Sequence, residues 1–499
     1  MSLVRPALAK HRIDHHYCCM KGEPQPSAYR ADTPIGEITD WIADRVEAAR
    51  FPQTHLRFRN RRWDRAIGLG DLSDEAWKDH FARFKPLPEN LPDPLALRYH
   101  GHQFGTYNPD IGDGRGFLFA QLRDGAGRVL DLGTKGSGQT PYSRFGDGRL
   151  TLKGAVREIL ATEMLEALGV NTSKTFSVVE TGEQLERNDE PSPTRSAVLV
   201  RLSHGHIRIG TFQRLASLNQ ADNLARLVDY ALAQFPGPPP PADAPGRDLP
   251  AAHLMHLVVE RLADLAASYV AAGFVHGVLN TDNMNVSGES FDYGPWRFLP
   301  RWDAQFTAAY FDQTGLYAFG RQAEAIQWNC MQLAIALRPI CEARPLIAAL
   351  ERFRALFSAN VARRFAWRLG VPDADAEQQA ALVEPIEAAL LESGLQPDAF
   401  FFAARTGTLP EGKALDACRT LLASCPKVED RHAYWQDGQP QSMLIDEVEA
   451  LWARIDQDDD WSALGDKIAA LRRMGEAHGP GPEPAGHLPR RDKPVSIET

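Results

Sequence analysis

The spacing of apolar residues changes along the chain, and the change predicts a first part built on strands and a second part built on helices. Between about residues 95 and 235, short apolar runs alternate with glycine-bearing turns, which is typical of strands. The strands predicted in this part are residues 117–122, 129–132, 175–179 and 197–202. The first two flank the turn Asp124-Gly125 and are expected to form a hairpin.

Helical spacing appears once inside the first part and then dominates the second. Residues 152–168 carry apolar positions three and four apart, and Gly169 is a suitable residue to end that helix. Past residue 250 the same spacing recurs, first in a long amphipathic segment that ends at Gly273. The helices predicted there are residues 251–272, 320–340, 346–368, 376–394 and 443–473.

Two compositional breaks divide the chain. The stretch 235–250 contains four consecutive prolines, which neither a helix nor a central strand accepts, so an exposed connection is expected. The stretch from about 479 onward is rich in Gly, Pro and charge, and is expected to be disordered. The predicted units are an N-terminal extension packing on the lobes (1–94), a β-rich N-lobe (95–235), the proline-rich connection (236–250), a helical C-lobe with a C-terminal extension (251–478) and a tail (479–499).

Composition narrows the class of protein. The chain has 499 residues with 43% hydrophobic residues, enough for a sizeable core, and a net charge of -10, which argues against sequence-independent binding of nucleic acid. Six cysteines without metal-site spacing predict buried thiols in a reducing compartment, although the neighbours Cys18 and Cys19 leave a local redox role open. No stretch has the pattern of a signal peptide or a bilayer-spanning helix, so a cytoplasmic location is expected, and nothing requires more than a monomer.

Two glycine-rich loops are candidates for holding phosphate. Gly112, Gly114 and Arg115 belong to the run GDGRG at 112–116, where backbone N–H groups could approach a phosphate chain closely. Lys135 stands at the end of a predicted strand and begins KGSGQTPYSRFGDG, which ends in Asp147-Gly148. Tight surface turns explain either loop alone, but two such loops within forty residues favour a binding site.

Charged residues that follow the loops extend the pattern. In protein kinases a lysine on a strand pairs with a glutamate on the next helix, and Lys135 and Glu158 stand in that order. Arg201 and Arg208 lie seven residues apart in a strand-like segment and suit the end of a polyphosphate. An exposed helix acid and a solvated basic pair are the simpler alternatives.

The segment 274–294 carries the strongest signal. A kinase catalytic loop has His-x-Asp, an Asn five residues past that Asp, and a later Asp-Phe-Gly. His276, Asn283 and Asp292 keep this frame, but Val278 occupies the position of the catalytic aspartate and cannot accept a proton. Asp282 offers a replacement carboxylate beside Asn283. The fold class expected from these motifs is α+β, a two-lobed protein-kinase-like fold with extra N- and C-terminal helical segments. A polar turn between helix and strand is the structural alternative.

Taken together, these stretches resemble the selenoprotein O family, called YdiU in bacteria. The matching text is GHQFG (101–105), GDGR (112–115), KGSGQTPYSRFGDGR (135–149), RE (157–158), VRLSHGHIRIGTF (200–212), HGVLNTDNM (276–284), DYGP (292–295) and, more loosely, YAFGRQAEAIQWN (317–329). These signatures occur in the order of the family, over about residues 60–345.

The resemblance implies a pseudokinase that binds ATP in a flipped orientation and transfers AMP to Ser, Thr or Tyr hydroxyls of proteins, releasing pyrophosphate. Carried over by position, Asp282 is the implied proton acceptor, Asn283 and Asp292 bind Mg²⁺ or Mn²⁺, and Glu158 pairs with Lys135. The residues implied to hold ATP are Gly112, Gly114, Arg115, Lys135, Asp147, Gly148, Arg201 and Arg208. Flipping the nucleotide moves the place where a base is needed, which is consistent with Val278 at the old position.

Two features of the chain depart from the pattern of the family, and other functions compete with AMP transfer. Members of the family usually carry a cysteine or selenocysteine motif near the C-terminus, whereas the last cysteine here is Cys425, so redox regulation is in doubt. Residues 106–111 also look less typical. The competing functions are UMP transfer from UTP with Mn²⁺, a non-catalytic nucleotide-binding scaffold, and an ordinary phosphotransferase, against which Val278 argues. The sequence does not name the protein substrates.

Overall fold

One antiparallel sheet dominates the first part of the chain in the computed structural model, which describes residues 28–188, 190–429 and 431–487. The elements of this first part of the chain, in order, are α1 (Thr39–Ile42), β1 (Ala43–Arg45), β2 (His55–Arg59), α2 (Arg61–Ala66), α3 (Asp74–Phe81), β3 (Leu95–Leu97), β4 (Gly101–Gln103), β5 (Thr106–Asn108), β6 (Leu118–Arg123), β7 (Val129–Lys135), β8 (Leu150–Thr151), α4 (Leu152–Ala167), β9 (Lys174–Leu185) and β10 (Thr194–Ser203). The strand order is β1-β3-β6-β7-β10-β9-β2, and β8 also pairs with β10. The predicted hairpin is confirmed, because β6 pairs antiparallel with β7.

Both faces of this sheet are covered, which explains why its strands are apolar almost throughout. Side chains alternate along a strand, so neighbouring residues enter different cores. Leu199 packs with the apolar face of α4, whereas Val198 and Val200 pack on the opposite face around Trp77 of α3. The N-terminal segment therefore supplies one cover of the sheet, and two of its strands, β1 and β2, form the sheet edges.

The second part is helical, as the sequence predicts. Its elements are α5 (Ile209–Ser217), α6 (Ala221–Gln234), α7 (Pro250–Ala272), β11 (Phe274–Val275), β12 (Arg297–Phe298), α8 (Gln322–Leu337), α9 (Ala343–Glu351), α10 (Phe353–Arg368), α11 (Ala376–Ser393), α12 (Pro397–Thr406), α13 (Lys413–Ser424), α14 (Ile445–Asp458) and α15 (Ser462–His478). Helix α7 is buried on nearly all sides and ends where Gly273 adopts a left-handed conformation, with φ of 61°. The two-lobed layout, a β-rich part followed by a helical one, is thus confirmed.

Several boundaries differ from the predicted ones. The predicted helices 346–368 and 443–473 are each two helices, and the second break falls where Asp459 has a φ of 50°. Helices α5 and α6 precede residue 235 but pack against α8 and α7. The proline-rich connection forms no helix or strand before Pro250. The division into units stays a prediction, since one sheet takes strands from both sides of residue 94.

The C-terminal segment returns to both lobes. Helix α15 packs on α4, where Arg472 forms two hydrogen bonds to Glu163 at 2.9 and 2.6 Å. Beyond residue 479, in the stretch expected to be disordered, the carbonyl oxygen of Gly486 accepts a hydrogen bond of 3.0 Å from Nε of Arg261 on α7. The last twelve residues of the predicted tail, and Cys18 with Cys19, lie outside the described residues.

Two further sequence expectations bear on the class of protein. Cys330, Cys341, Cys418 and Cys425 are buried free thiols, as expected. In the part of the chain that the structure describes, no helix combines the length and apolarity needed to cross a membrane.

Candidate active site

A buried ion pair joins the sheet to helix α4. Lys135 is the last residue of β7, and its Nζ contacts the carboxylate of Glu158 on α4. Both side chains are almost fully buried. Because unpaired buried charges are costly, each of these groups holds the other in place, and together they fix α4 relative to the strand.

Arg201 and Asp292 complete a four-membered charge cluster with this pair. Arg201 lies on β10 opposite Gly133 of β7, and its Nη2 donates to both carboxylate oxygens of Glu158 at 3.3 Å. The same nitrogen lies 3.4 Å from Oδ1 of Asp292, and Nζ of Lys135 lies 3.1 Å from that oxygen. The structure thus brings Lys135, Glu158, Arg201 and Asp292 together from four separate segments.

Arg208 connects this cluster to the loop that carries Asp282. Its Nη1 donates to the backbone carbonyl oxygen of Asp282 at 3.1 Å, and its Nη2 donates to Oδ1 of Asp113 at 3.1 Å. The guanidinium lies over the rings of Tyr99 and Phe291, 4.4 and 4.9 Å from their centroids. Arg208 sits immediately before α5, not on a strand, because β10 ends at Ser203.

Three polar atoms of these residues are buried without a hydrogen-bond partner among the described residues: Nε of Arg201, Nε of Arg208 and Oδ1 of Asp282. Most buried polar groups are hydrogen-bonded, so three unpartnered atoms on the candidate site residues are compatible with a bound ligand that would complete them. Two donors and one acceptor without partners on these residues suit an anionic group that also presents a proton donor.

The carboxylates of the site differ in their readiness to take a proton. Burial raises the pKa of the Asp282 carboxyl to about 6, although Arg208 works in the opposite direction. Burial also opposes ionisation of Asp292, but Lys135, Arg201 and Arg208 outweigh it and hold the Asp292 pKa well below its usual range. Asp292 is therefore a permanent anion, whereas Asp282 is poised to exchange a proton.

Asn283 and Asp292 provide a donor set that fits a divalent cation. The amide nitrogen of Asn283 donates to the carbonyl oxygen of Val278 at 3.0 Å, which leaves its oxygen as the remaining ligand atom. Magnesium prefers oxygen ligands and commonly takes one or two from protein and the rest from phosphate and water. No group of three or more His, Cys, Asp or Glu residues suited to a metal occurs in the described ranges.

The glycine loops pack on each other around Tyr142. A Cβ on Gly112 would lie 2.5 Å from the ring of Tyr142, and one on Gly114 would lie 2.9 Å from its carbonyl oxygen. Arg115 is exposed beside them and contributes to the low pKa of Asp292. The loop that follows Lys135 thus forms a layer over the GDGRG turn.

Asp147 and Gly148 lie apart from the charge cluster. The carboxylate of Asp147 pairs with Arg187, at 2.9 and 3.1 Å from its two terminal nitrogens. Gly148 has a φ of 68°, and a Cβ there would come within 2.2 Å of the backbone of Gly138. In this structure Gly148 serves the shape of the loop, and Asp147 serves its attachment to the β9–β10 hairpin.

The kinase-like frame of the catalytic loop is filled as the motif suggests. Nε2 of His276 lies 3.1 Å from the carbonyl oxygen of Phe291, beside Asp292. Burial lowers the pKa of His276, so the ring is neutral and acts as a structural link. Val278, which stands at the position of the kinase aspartate, brings no titratable group to the site.

Several residues that shape the site carry no motif in the sequence. Asp113 belongs to the glycine run, yet its Oδ1 accepts from Arg208 and its Oδ2 accepts from the N–H of Leu97 at 3.0 Å. Tyr99 and Phe291 enclose Arg208, and no motif signals such a contact. An acidic residue between two glycines was the one available signal, because it does not help to bind phosphate and so needs another task.

Comparison with known proteins adds an independent line of evidence. Residues 31–438 match the family model described as "Protein adenylyltransferase SelO". The chain is 39% identical over 462 residues to the protein nucleotidyltransferase YdiU of Synechocystis sp., covering 86% of this chain and 95% of that protein. It is 42% identical over 469 residues to the protein of the same name from Gloeobacter violaceus, covering 88% and 94%.

Among solved structures, the kinase domain of a Toxoplasma gondii rhoptry antigen aligns with 54% of this chain and 75% of that chain, at 12% identity and a TM-score of 0.27. This score is too low to bear on the fold.

Proposed function

Because this chain belongs to the SelO family of protein nucleotidyltransferases, we propose that it transfers AMP from ATP to Ser, Thr or Tyr hydroxyls of proteins and releases pyrophosphate. The observation that carries the proposal is the combination of Val278 at the position of the kinase base with Asp282 close by in the chain, whose Oδ1 is buried and has no hydrogen-bond partner among the described residues. The position that serves as base in a phosphate-transferring kinase is inert, and burial raises the pKa of the nearby Asp282 carboxyl to about 6, which suits a proton acceptor.

Lys135, Arg201 and Arg208 are the proposed cradle of the triphosphate. The unpartnered Nε–H groups of the two arginines, together with the ammonium of Lys135, can donate hydrogen bonds to phosphate oxygens while these side chains keep part of their present partners. Gly112, Gly114 and Arg115 are proposed to approach the nucleotide from the neighbouring loop. We place Asp147 and Gly148 in the same role by their position in the family motif, although Asp147 here contacts Arg187.

In the proposed reaction the acceptor oxygen bonds to the α-phosphorus, the bond from that phosphorus to the bridging oxygen of pyrophosphate breaks, and Asp282 takes the hydroxyl proton. Arg208 donates to the backbone carbonyl oxygen of Asp282 and so positions the loop that holds the proposed proton acceptor. The same arginine belongs to the proposed phosphate cradle. Asn283 and Asp292 are the proposed ligands of Mg²⁺ or Mn²⁺. A bound divalent cation would neutralise charge on the leaving pyrophosphate.

Transfer of isotope from labelled ATP tests the proposal. The purified chain is incubated with Mg²⁺ or Mn²⁺ and ATP labelled in the α- or the γ-phosphate, and label in protein is followed. We expect label from the α-position only, and its loss in Asp282→Asn, which keeps the shape but not the basicity of the side chain. Asp248→Asn is the matched control, because that carboxylate is 99% exposed on the proline-rich connection.

The other outcomes are distinct. Label from the γ-position would mean phosphate transfer and would contradict the role given to Val278 and Asp282. No label from either position, with ATP still bound, would point to a scaffold. A parallel reaction with α-labelled UTP and Mn²⁺ distinguishes AMP from UMP transfer, since the contacts proposed above are to the phosphates and not to the nucleobase.

A further inference from the structure

An exposed group of aromatic side chains lies beside the loop that carries Asp282. We call it the aromatic rim: Phe104 at the tip of the β4–β5 hairpin, Tyr310 and Phe311 in the loop before α8, and the buried Tyr317 beneath them. Tyr310 is 84% exposed, Phe311 47% and Phe104 39%. Contiguous exposed aromatic residues are unusual on a protein surface and indicate a site of interaction.

The members of the rim contact one another. The ring of Phe104 lies 5.8 Å from that of Phe311 and 5.1 Å from that of Tyr317, measured between centroids, and Tyr310 lies 5.1 Å from Phe311. All three contacts are of the edge-to-face type that aromatic pairs favour. The rim is therefore one surface built from two distant segments of the chain.

Hydrogen bonds attach this surface to the Asp282 loop. The N–H of Phe104 donates to Oδ1 of Asn280 at 3.1 Å, and the hydroxyl of Tyr317 donates to the same oxygen at 2.6 Å. On the same hairpin, a Cβ on Gly101 would lie 3.1 Å from Oδ1 of Asp282. The rim thus contacts Asn280, which lies two residues before the proposed base Asp282 in the chain.

The loop that carries Tyr310 and Phe311 is preformed. The carboxylate of Asp312 is buried and accepts the N–H groups of Leu316 and Tyr317, each at 2.8 Å. These bonds close a turn and hold the two exposed rings outward. Because Asp312 is committed to the backbone, the rim itself offers no free charge to a ligand.

We infer that the aromatic rim binds the acceptor protein, and that it selects a segment with a large apolar side chain close to the hydroxyl that is modified. This rests on the proposed function. An enzyme of this family acts on protein, so a protein segment must reach the Asp282 loop, and the rim is an apolar surface that contacts that loop. An uncharged aromatic surface favours an apolar segment over an acidic or basic one.

Paired peptides and paired variants test this inference. Two peptides share one Ser acceptor and differ at the neighbouring positions, which carry Phe in one and Glu in the other. For the unmodified chain we expect kcat/KM to be at least about tenfold higher for the Phe peptide, a difference of the size that a few aromatic contacts supply. Tyr310→Asn/Phe311→Asn is expected to abolish this preference and to leave KM for ATP unchanged.

The control is Ile347→Asn/Leu391→Asn, which replaces exposed apolar side chains on α9 and α11 and should keep the preference. Thermal unfolding of both double variants checks that each is folded, and Phe104→Leu, which keeps an apolar side chain at the third rim position, should retain most of the preference. An unchanged preference in the rim variant would overturn the inference while leaving nucleotidyl transfer intact.

Peptide binding without catalysis separates the two proposals. Fluorescence anisotropy of the labelled Phe peptide should show binding to the unmodified chain and to the control, and at least about tenfold weaker binding to the rim variant. If no label from α-labelled ATP reaches any acceptor but this difference in binding persists, the proposed function fails and the docking surface stands. If the rim variant binds equally well, the docking surface fails whatever the transfer assay shows.

Discussion

At the scale of single residues, the positive charges of the candidate site are balanced by direct contacts with carboxylates. Lys135, Arg201 and Arg208 are compensated by Glu158, Asp292 and Asp113, and each contact is direct. Three cations are therefore stabilised in the interior before any nucleotide arrives. A triphosphate at the proposed site would exchange partners with these carboxylates and add negative charge of its own, which a divalent cation would offset.

Glu158→Gln tests this balance. The variant removes the negative charge that Lys135 and Arg201 share, so both cations lose compensation in a buried site. We expect a lower thermal midpoint without ligand, since breaking a buried pair costs roughly 3–5 kcal/mol. We also expect at least about a tenfold loss of transfer, because Lys135 and Arg201 lose the carboxylate that positions them. Because phosphate can replace the lost carboxylate, ATP should raise the midpoint of this variant more than that of the unmodified chain.

The comparison is Glu342→Gln, whose carboxylate is 90% exposed, and which should match the unmodified chain in both measurements. Equal stabilisation of Glu158→Gln and the unmodified chain by ATP would mean that Lys135 and Arg201 do not face the phosphates.

At the scale of elements, the sequence predicts what local pattern determines and misses what distant packing determines. The hairpin β6–β7 and helices α4 and α7 follow from apolar spacing with glycine at the turn or the end. The alternation of Ile207 and Ile209 with polar residues predicts a strand around Arg208, yet α5 begins at Ile209. Both isoleucines are buried, one before and one inside the helix, and spacing alone does not separate these arrangements.

The candidate site follows the same rule. The motif frame located Lys135, Glu158 and the 276–292 segment, because each has a chemical signature of its own. The role of Asp113 depends on Arg208, ninety-five residues away, and the packing of α15 on α4 depends on a contact between Glu163 and Arg472. Such contacts join residues that are far apart in the chain and leave no local pattern.

Arg472→Ala tests how far the C-terminal helices support the site. Arg472 makes two hydrogen bonds to the buried carboxylate of Glu163, five residues after Glu158 on α4. Its loss should cost about 2 kcal/mol of unfolding free energy, because hydrogen bonds to a charged group are stronger than average. We expect a lower urea midpoint together with reduced transfer, as α4 loses part of its support.

The neighbouring residue provides a matched control. Arg473 pairs with Asp437 at the surface, so Arg473→Ala should leave the urea midpoint close to that of the unmodified chain. A similar loss in both variants would show that any arginine on α15 matters equally, and would remove the special role of the contact with Glu163.

At the scale of the whole molecule, nucleotide, metal and both lobes should be linked. Lys135, Glu158 and Arg201 come from the sheet and α4, whereas Asp282, Asn283 and Asp292 come from the helical part. A ligand that contacts both sets binds only the folded arrangement and so stabilises the entire chain. The size of that stabilisation reports whether the two sets act on one ligand.

Thermal unfolding with ATP, with and without metal, measures this linkage. ATP alone should raise the midpoint slightly, because Asp292 stays near the phosphates with its charge uncompensated by metal. ATP with Mg²⁺ or Mn²⁺ should raise it by several degrees, since a ligand at one hundred times its Kd contributes about 2.7 kcal/mol, and EDTA should reverse the gain. Asp292→Asn should lose the metal-dependent part, whereas Asp282→Asn should keep most of it, because Asp282 is assigned to the acceptor proton and not to the nucleotide. If both variants lost the metal-dependent gain in midpoint equally, Asp282 would belong to the metal site, and a different residue would have to accept the hydroxyl proton.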